Sequence, residues 1–104
     1  MVNPHAGEVR LVVDGRPQVL KLTLGALAEL EARLEADSLA DLVARFEGAD
    51  LRAQDVLHLI CAGLRGGGWQ GDLPDLVTAE IEGGPVVAAQ AAARALALAF
   101  RGAA

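Results

Sequence analysis

Residues 8 to 23, EVRLVVDGRPQVLKLT, alternate apolar and polar side chains around Asp14-Gly15, and from Leu24 onward the apolar spacing becomes helical. That switch limits the possible folds most. A period of two describes a half-buried strand pair, and Asp-Gly is a dipeptide that tight hairpin turns favour. The segments after Thr23 read as helices separated by caps and glycines. The expected class is therefore α+β: an N-terminal β-hairpin over about 8–23, followed by a bundle of about five short helices.

Two hairpin registers are possible. A two-residue loop would pair Val13 with Arg16 and Leu11 with Gln18, mixing apolar with polar positions. It would also leave Pro17 inside the ladder, where it has no N–H to donate. A four-residue loop, Asp14 to Pro17, instead gathers Val9, Leu11, Val13, Leu20 and Leu22 on one face, with Glu8, Arg10, Lys21 and Thr23 on the other. The pattern favours the four-residue loop.

Thr23 is placed to cap a helix running to about Ala36, with Leu24, Leu27, Leu30 (or Glu31 at its edge) and Leu34 on its apolar side. Glu29 and Arg33, four apart, should pair at the surface for about 0.3–0.5 kcal/mol. Ser38 and Asp41 form a cap-like pair opening a short helix with Leu39, Leu42, Val43 and Phe46 inward, ended by Gly48. A helix over Ala53 to Arg65 would bury Val56, Leu57, Ile60, Cys61 and Leu64 and leave Asp55, His58 and Arg65 in water. Gly66 to Gly68 should stop it through a left-handed cap. Asp72 and Asp75 flank Pro74 at the start of a helix carrying Leu73, Leu76, Val77 and Ile81 as far as Gly83-Gly84.

The last helix, VVAAQAAARALALAFR over 86 to 101, is apolar around most of its circumference, with polar groups only at Gln90, Arg94 and Arg101. Such a helix is either central in its own fold or covered by another chain. The first reading is favoured because a small helical domain usually needs one such element.

The 104 residues suit one domain, 1–104, hiding roughly two-thirds of the unfolded surface in one core. Hydrophobic residues make up 53%, mostly aliphatic; the aromatics are Phe46, Trp69 and Phe100. The net charge is −5 and the basic residues are scattered singly, which argues against nucleic-acid binding. Cys61 has no cysteine partner, and His5 and His58 lie too far apart for a zinc spacing. The start, MVNPHAGEVR, lacks the layout of a signal peptide, and Val86 to Phe100 is too short to span a bilayer. A cytoplasmic protein without membrane association is expected.

Little in the chain is arranged for chemistry. The run AGLRGGGWQG lacks the Lys-Ser/Thr of a phosphate loop and follows a helix instead of a strand. His58 has Asp55 one turn earlier but no nucleophile on that face. The acidic residues are spread over caps and outer faces, so nothing shifts a carboxylate for acid–base work. No catalytic, cofactor or metal residue is assigned. Trp69, after three glycines, is either an interface anchor or a plug folded back on the helices.

Taken in order, NPHAGEVRLVVDG, LTLGALAELEARL, AQDVLHLICAGLRGGG and EGGPVVAA resemble the small tail-region proteins of gene transfer agents and related bacteriophages, grouped with phage tail assembly chaperones. The resemblance covers nearly the whole chain. It implies a non-enzymatic protein that keeps the tape-measure protein soluble while tail-tube subunits assemble, working in the host cytoplasm. The alternative it implies is a structural tail-tube or tail-completion subunit retained in the particle, and a homo-oligomer fits either role. A small enzyme using His58 and Cys61 is the distant third reading. Trp69, Val86, Val87, Leu96 and Phe100 are the expected contact residues, with tape-measure protein or tail-tube subunits as partners.

Overall fold

In the computed structural model, residues 2–3, 6–47 and 52–101 are described, apart from the side chains of residues 39, 42, 43, 47 and 101. His5, Gly48 and the inward positions expected at Leu39, Leu42 and Val43 lie outside that description, as does the side chain of Arg101.

Asp14 and Gly15 both take positive φ, 53° and 77°, which is the signature of a two-residue turn whose twist matches its strands. They join β1 (Glu8–Val13) to antiparallel β2 (Arg16–Lys21). Val13 pairs with Arg16, Leu11 with Gln18 and Val9 with Leu20. The four-residue loop expected from the face pattern is therefore not formed.

Two contacts outside the hairpin explain the difference. The Val12 carbonyl turns away from β2 to accept from the Glu82 N–H at 3.1 Å, so the Val12–Pro17 pair has no ladder hydrogen bond for proline to break. Val13 is buried although Arg16 opposite it is exposed, because a bridge to Ile81 covers it.

Five helices follow among the described residues. Thr23 caps α1 (Leu24–Leu34) as expected, its hydroxyl accepting from the Ala26 N–H at 3.1 Å. Ala26, Leu27, Leu30 and Leu34 are buried, whereas Leu24 is 78% exposed. At 100° per residue Leu24 lies well off the arc shared by the other three leucines. The helix ends on Glu35 in the left-handed conformation. Ser38 caps α2 (Leu39–Glu47) through the Asp41 N–H, but the Asp41 carboxylate reaches the Asp37 N–H and does not close a box on Ser38.

The central element is α3 (Ala53–Gly66), which packs against α1, β2, α4 and α5. Being covered on several sides, it buries more than one stripe: Leu59 and Leu64 are at 0% exposure and Ile60 at 1%. Leu59 was not expected in the core, and Asp55, expected in water, is buried at 7%. Asp55 folds back to accept from the Arg52 N–H at 3.2 Å and lies 3.9 Å from the Arg45 guanidinium. Arg45 also donates to the Leu34 carbonyl at 2.9 Å, satisfying an end carbonyl of α1.

The glycines after α3 do more than stop it. A Cβ on Gly66 would fall on the Lys21 carbonyl oxygen and one on Gly67 on the Val19 carbonyl oxygen, so the end of α3 lies directly against the outer edge of β2. Only Gly68 has the left-handed backbone expected of the run, with φ 104°. It closes a Schellman cap in which the Trp69 N–H reaches the Leu64 carbonyl at 2.9 Å and the Gly68 N–H that of Arg65 at 3.1 Å.

Asp72 caps α4 (Leu73–Val77) together with Asp75, around Pro74. This helix stops at Val77, six residues before the glycines expected to end it, because residues 80–82 run alongside Val12 to Asp14 and are hydrogen-bonded to Val12 and Asp14. Ile81 therefore serves the sheet, and Val77 is 61% exposed. The last helix, α5 (Gly84–Arg101), packs on β1, β2, α2 and α3. Its buried face consists of Ala88, Ala91, Ala92, Ala95 and Leu96. The expectation of a core helix holds for that face only.

A candidate interaction surface

The outer arc of α5 is the first place to look for a contact, because core packing uses the opposite, alanine-rich face. Val86 is 67% exposed, Phe100 43% and Val87 38%. Val86, Gln90, Ala93, Ala97 and Phe100 recur at alternating intervals of four and three, and all are exposed. That spacing aligns them along one side of the helix, where another helix could lie. Leu96, expected among the contact residues, belongs to the core at 4% exposure. Of the positions named from sequence, the structure brings Val86 and Phe100 to one outer face and turns Leu96 inward.

Trp69 takes the folded-back position. Its indole lies over Gly71, where any Cβ would meet the ring, and it packs partly buried against the core. Trp69 also lines an open cleft of about 580 Å³ beside the hairpin turn, with Val13, Arg16 and Gln18. Trp69 is thus a plug folded back on the core that stays partly accessible.

Sequence reasoning missed a groove. Val56, Leu57 and Ile60 of α3, Leu76 of α4, Ile81, and Pro85, Ala88 and Ala89 of α5 enclose an apolar depression of about 360 Å³. Arg52 and Ala53 complete its wall, and Arg52 is the only charged residue in the lining. Nothing local announces it, because its walls come from four segments that meet only in the fold. Leu24 was missed as an exposed residue for a different reason: it was assigned to the buried stripe of α1. Its departure from that arc was the available signal.

The residues of the enzyme reading do come together, but around very little space. His58 and Cys61 line a cavity of about 10 Å³ with Glu29, Arg33 and Asp72, enough for at most one water. Burial pushes the Cys61 thiol above its ordinary value, and the Asp72 carboxylate adds to the rise against an opposing pull from Arg65. A thiol held protonated is a weak nucleophile. The Arg65 guanidinium is engaged by Glu29 at 2.9 Å and stands 3.9 Å from Asp72, so the charges around the cavity tie α1, α3 and α4 together. Arg33, expected to hold Glu29, stands farther off at 3.9 Å.

Among the described residues no group of three or more His, Cys, Asp or Glu side chains could hold a metal ion, and no helix is long and apolar enough to cross a membrane. A family model described as "Phage tail tube protein, GTA-gp10" matches residues 6–102. The chain belongs to that family. It is thus a small tail-region protein of the kind found in phages and gene transfer agents, and membership in the tail tube family implies contact with other tail proteins. No curated protein and no solved structure matches the chain. Among the described residues, the accessible apolar surface of this family member includes the outer arc of α5, part of Trp69 and the groove.

Proposed function

We propose that the protein is a structural subunit of a phage or gene transfer agent tail, built into the tail tube or completing it, and that it acts by contact and without catalysis. The match of the tail tube family over residues 6–102 carries this reading. The exposed apolar residues support it, since a subunit that is to be covered by neighbours has reason to keep Val86 and Phe100 in water beforehand. The subunit is the single domain expected from the sequence, made in the host cytoplasm and ending in the particle tail. Its partners are other tail subunits, copies of itself included, and its proposed contact residues are Val86, Val87, Phe100 and Trp69, with Leu96 packed behind them. Quantitative mass spectrometry of purified particles tests this: copies in fixed proportion to the other tail proteins are expected, and absence from the particle overturns it.

The chaperone role expected first from the sequence is the second reading, and the groove is the observation that favours it. An apolar depression of about 360 Å³ beside an exposed helix face is a place where a helical segment of the tape-measure protein could be held. Co-expression should then raise the solubility of the tape-measure protein and the two should co-purify. Unchanged solubility with no co-purification removes this reading.

A further inference from the structure

Two surfaces of this protein lie on opposite sides of α3. One is the apolar groove, floored by Val56, Leu57 and Ile60. The other belongs to α1, which meets α3 at His58, Cys61 and Ala62. At 100° per residue those two sets occupy opposing arcs of α3, so the groove and α1 face away from each other.

The outward arc of α1 begins with Leu24, at 78% the most exposed large hydrophobic residue among those described. Ala28 follows on the same arc, and Glu31 lies two turns along, about 10 Å away. In the groove the one charge is Arg52, which forms no ion pair with any described residue. An apolar knob with a carboxylate beyond it thus stands on one side of the molecule. An apolar hole with a guanidinium at its wall stands on the other.

We infer that a second copy of this chain seats Leu24 in the groove between α3, α4 and the start of α5, with Glu31 directed to Arg52. This rests on the reading of the protein as a structural tail subunit and supplies a contact between copies. The charge pair matters because each copy carries −5, so indiscriminate approach is repelled and a point where opposite signs meet sets the register. Because two different surfaces join, the contact is heterologous. Repeated, it builds a ring or an open row and does not stop at a pair.

Sedimentation of the full chain over a range of concentrations tests it. Self-association is expected, weakened at least about tenfold by Leu24→Glu and also by Ala53→Glu in the groove wall. Both substitutions put a carboxylate in the first turn of a helix, where the backbone dipole tolerates it, and circular dichroism should show the fold kept. Mixing the two variants restores one intact contact per pair, giving a one-to-one complex that grows no further. Arg52→Glu and Glu31→Arg should each weaken association and together recover it.

A wild-type chain that stays monomeric overturns the inference, as does association indifferent to both carboxylates. Association lost with Ala53→Glu but kept with Leu24→Glu gives the groove another occupant and overturns it too. Particle composition is a separate readout. If Leu24→Glu enters particles at the wild-type copy number, the structural reading stands and this contact falls. If the protein is missing from particles while association depends on Leu24, the contact stands and the structural reading falls.

Discussion

Asp14 and Glu80, 66 residues apart, hold each other by two hydrogen bonds: the Asp14 N–H donates to the Glu80 carbonyl at 2.8 Å, and the Glu80 N–H donates to Asp14 Oδ1 at 2.8 Å. One residue thus makes the hairpin turn and fastens the 80–82 segment to it. Asp14→Ala should lose the side-chain acceptor and strain the left-handed backbone, costing about 2 kcal/mol. Asp14→Asn keeps both the acceptor and the turn preference and should be close to neutral. Urea denaturation of the two variants distinguishes these outcomes, and equal losses would mean that the carboxylate charge is what counts.

Gly66→Ala should behave against helix propensity. At an ordinary helical glycine, alanine gains about 1 kcal/mol. Here its Cβ would fall on the backbone carbonyl of Lys21, which cannot rotate away, so a net loss of at least about 2 kcal/mol is expected from overpacking. Gly68→Ala meets no neighbour and should lose only about 1 kcal/mol for its left-handed backbone. Thermal denaturation should rank them in that order.

The buried face of α5 predicts sensitivity to added volume. Ala92 and Ala95 are at 0% exposure, and Ala92→Leu or Ala95→Leu should each destabilise by about 1–3 kcal/mol. Val86→Ser, on the exposed arc, should stay within about 0.5 kcal/mol of wild type. A reduced particle yield from Val86→Ser with unchanged stability would separate the outer face from the inner one.

Cys61 gives the protein an alkaline weakness. Its folded-state thiol titrates above the ordinary 9.0, chiefly through burial, so above that pH the unfolded chain releases its proton first. The folded state then binds more protons than the unfolded one, and stability falls as pH rises past about 9. With no tyrosine in the chain, few other groups change charge in that range. Denaturation midpoints of the wild type should drop as pH rises above about 9, and the drop should shrink in Cys61→Ala.

Features decided by neighbouring residues were readable in the sequence. The Asp14-Gly15 turn, the Thr23 cap, the Asp72–Asp75 cap around Pro74 and the start of the last helix near Pro85 all follow from local chemistry. Features decided by distant residues were not. The hairpin register looked wrong for two residues because Val13 seemed to need an apolar partner across the strand, and that partner is Ile81. The same residue explains why α4 ends early, since an isoleucine engaged with β1 cannot also continue a helix. Asp55 looked wet until Arg45, from another helix, stood beside it. The surface residues divided likewise: Val86 and Phe100 stood out by periodicity, Leu96 was turned the wrong way, and the groove required four segments to meet.

The sealing of the hairpin has a consequence for assembly. On β1, the 80–82 segment covers Val12 to Asp14 and the Asn3 carbonyl takes the Glu8 N–H; on β2, Gly66 and Gly67 lie against the Lys21 and Val19 carbonyls, and Pro17 offers no donor. A neighbour would find scant backbone there for β-augmentation. Contact with a neighbouring tail protein is therefore left chiefly to side chains on the helices, which can be dissected one substitution at a time.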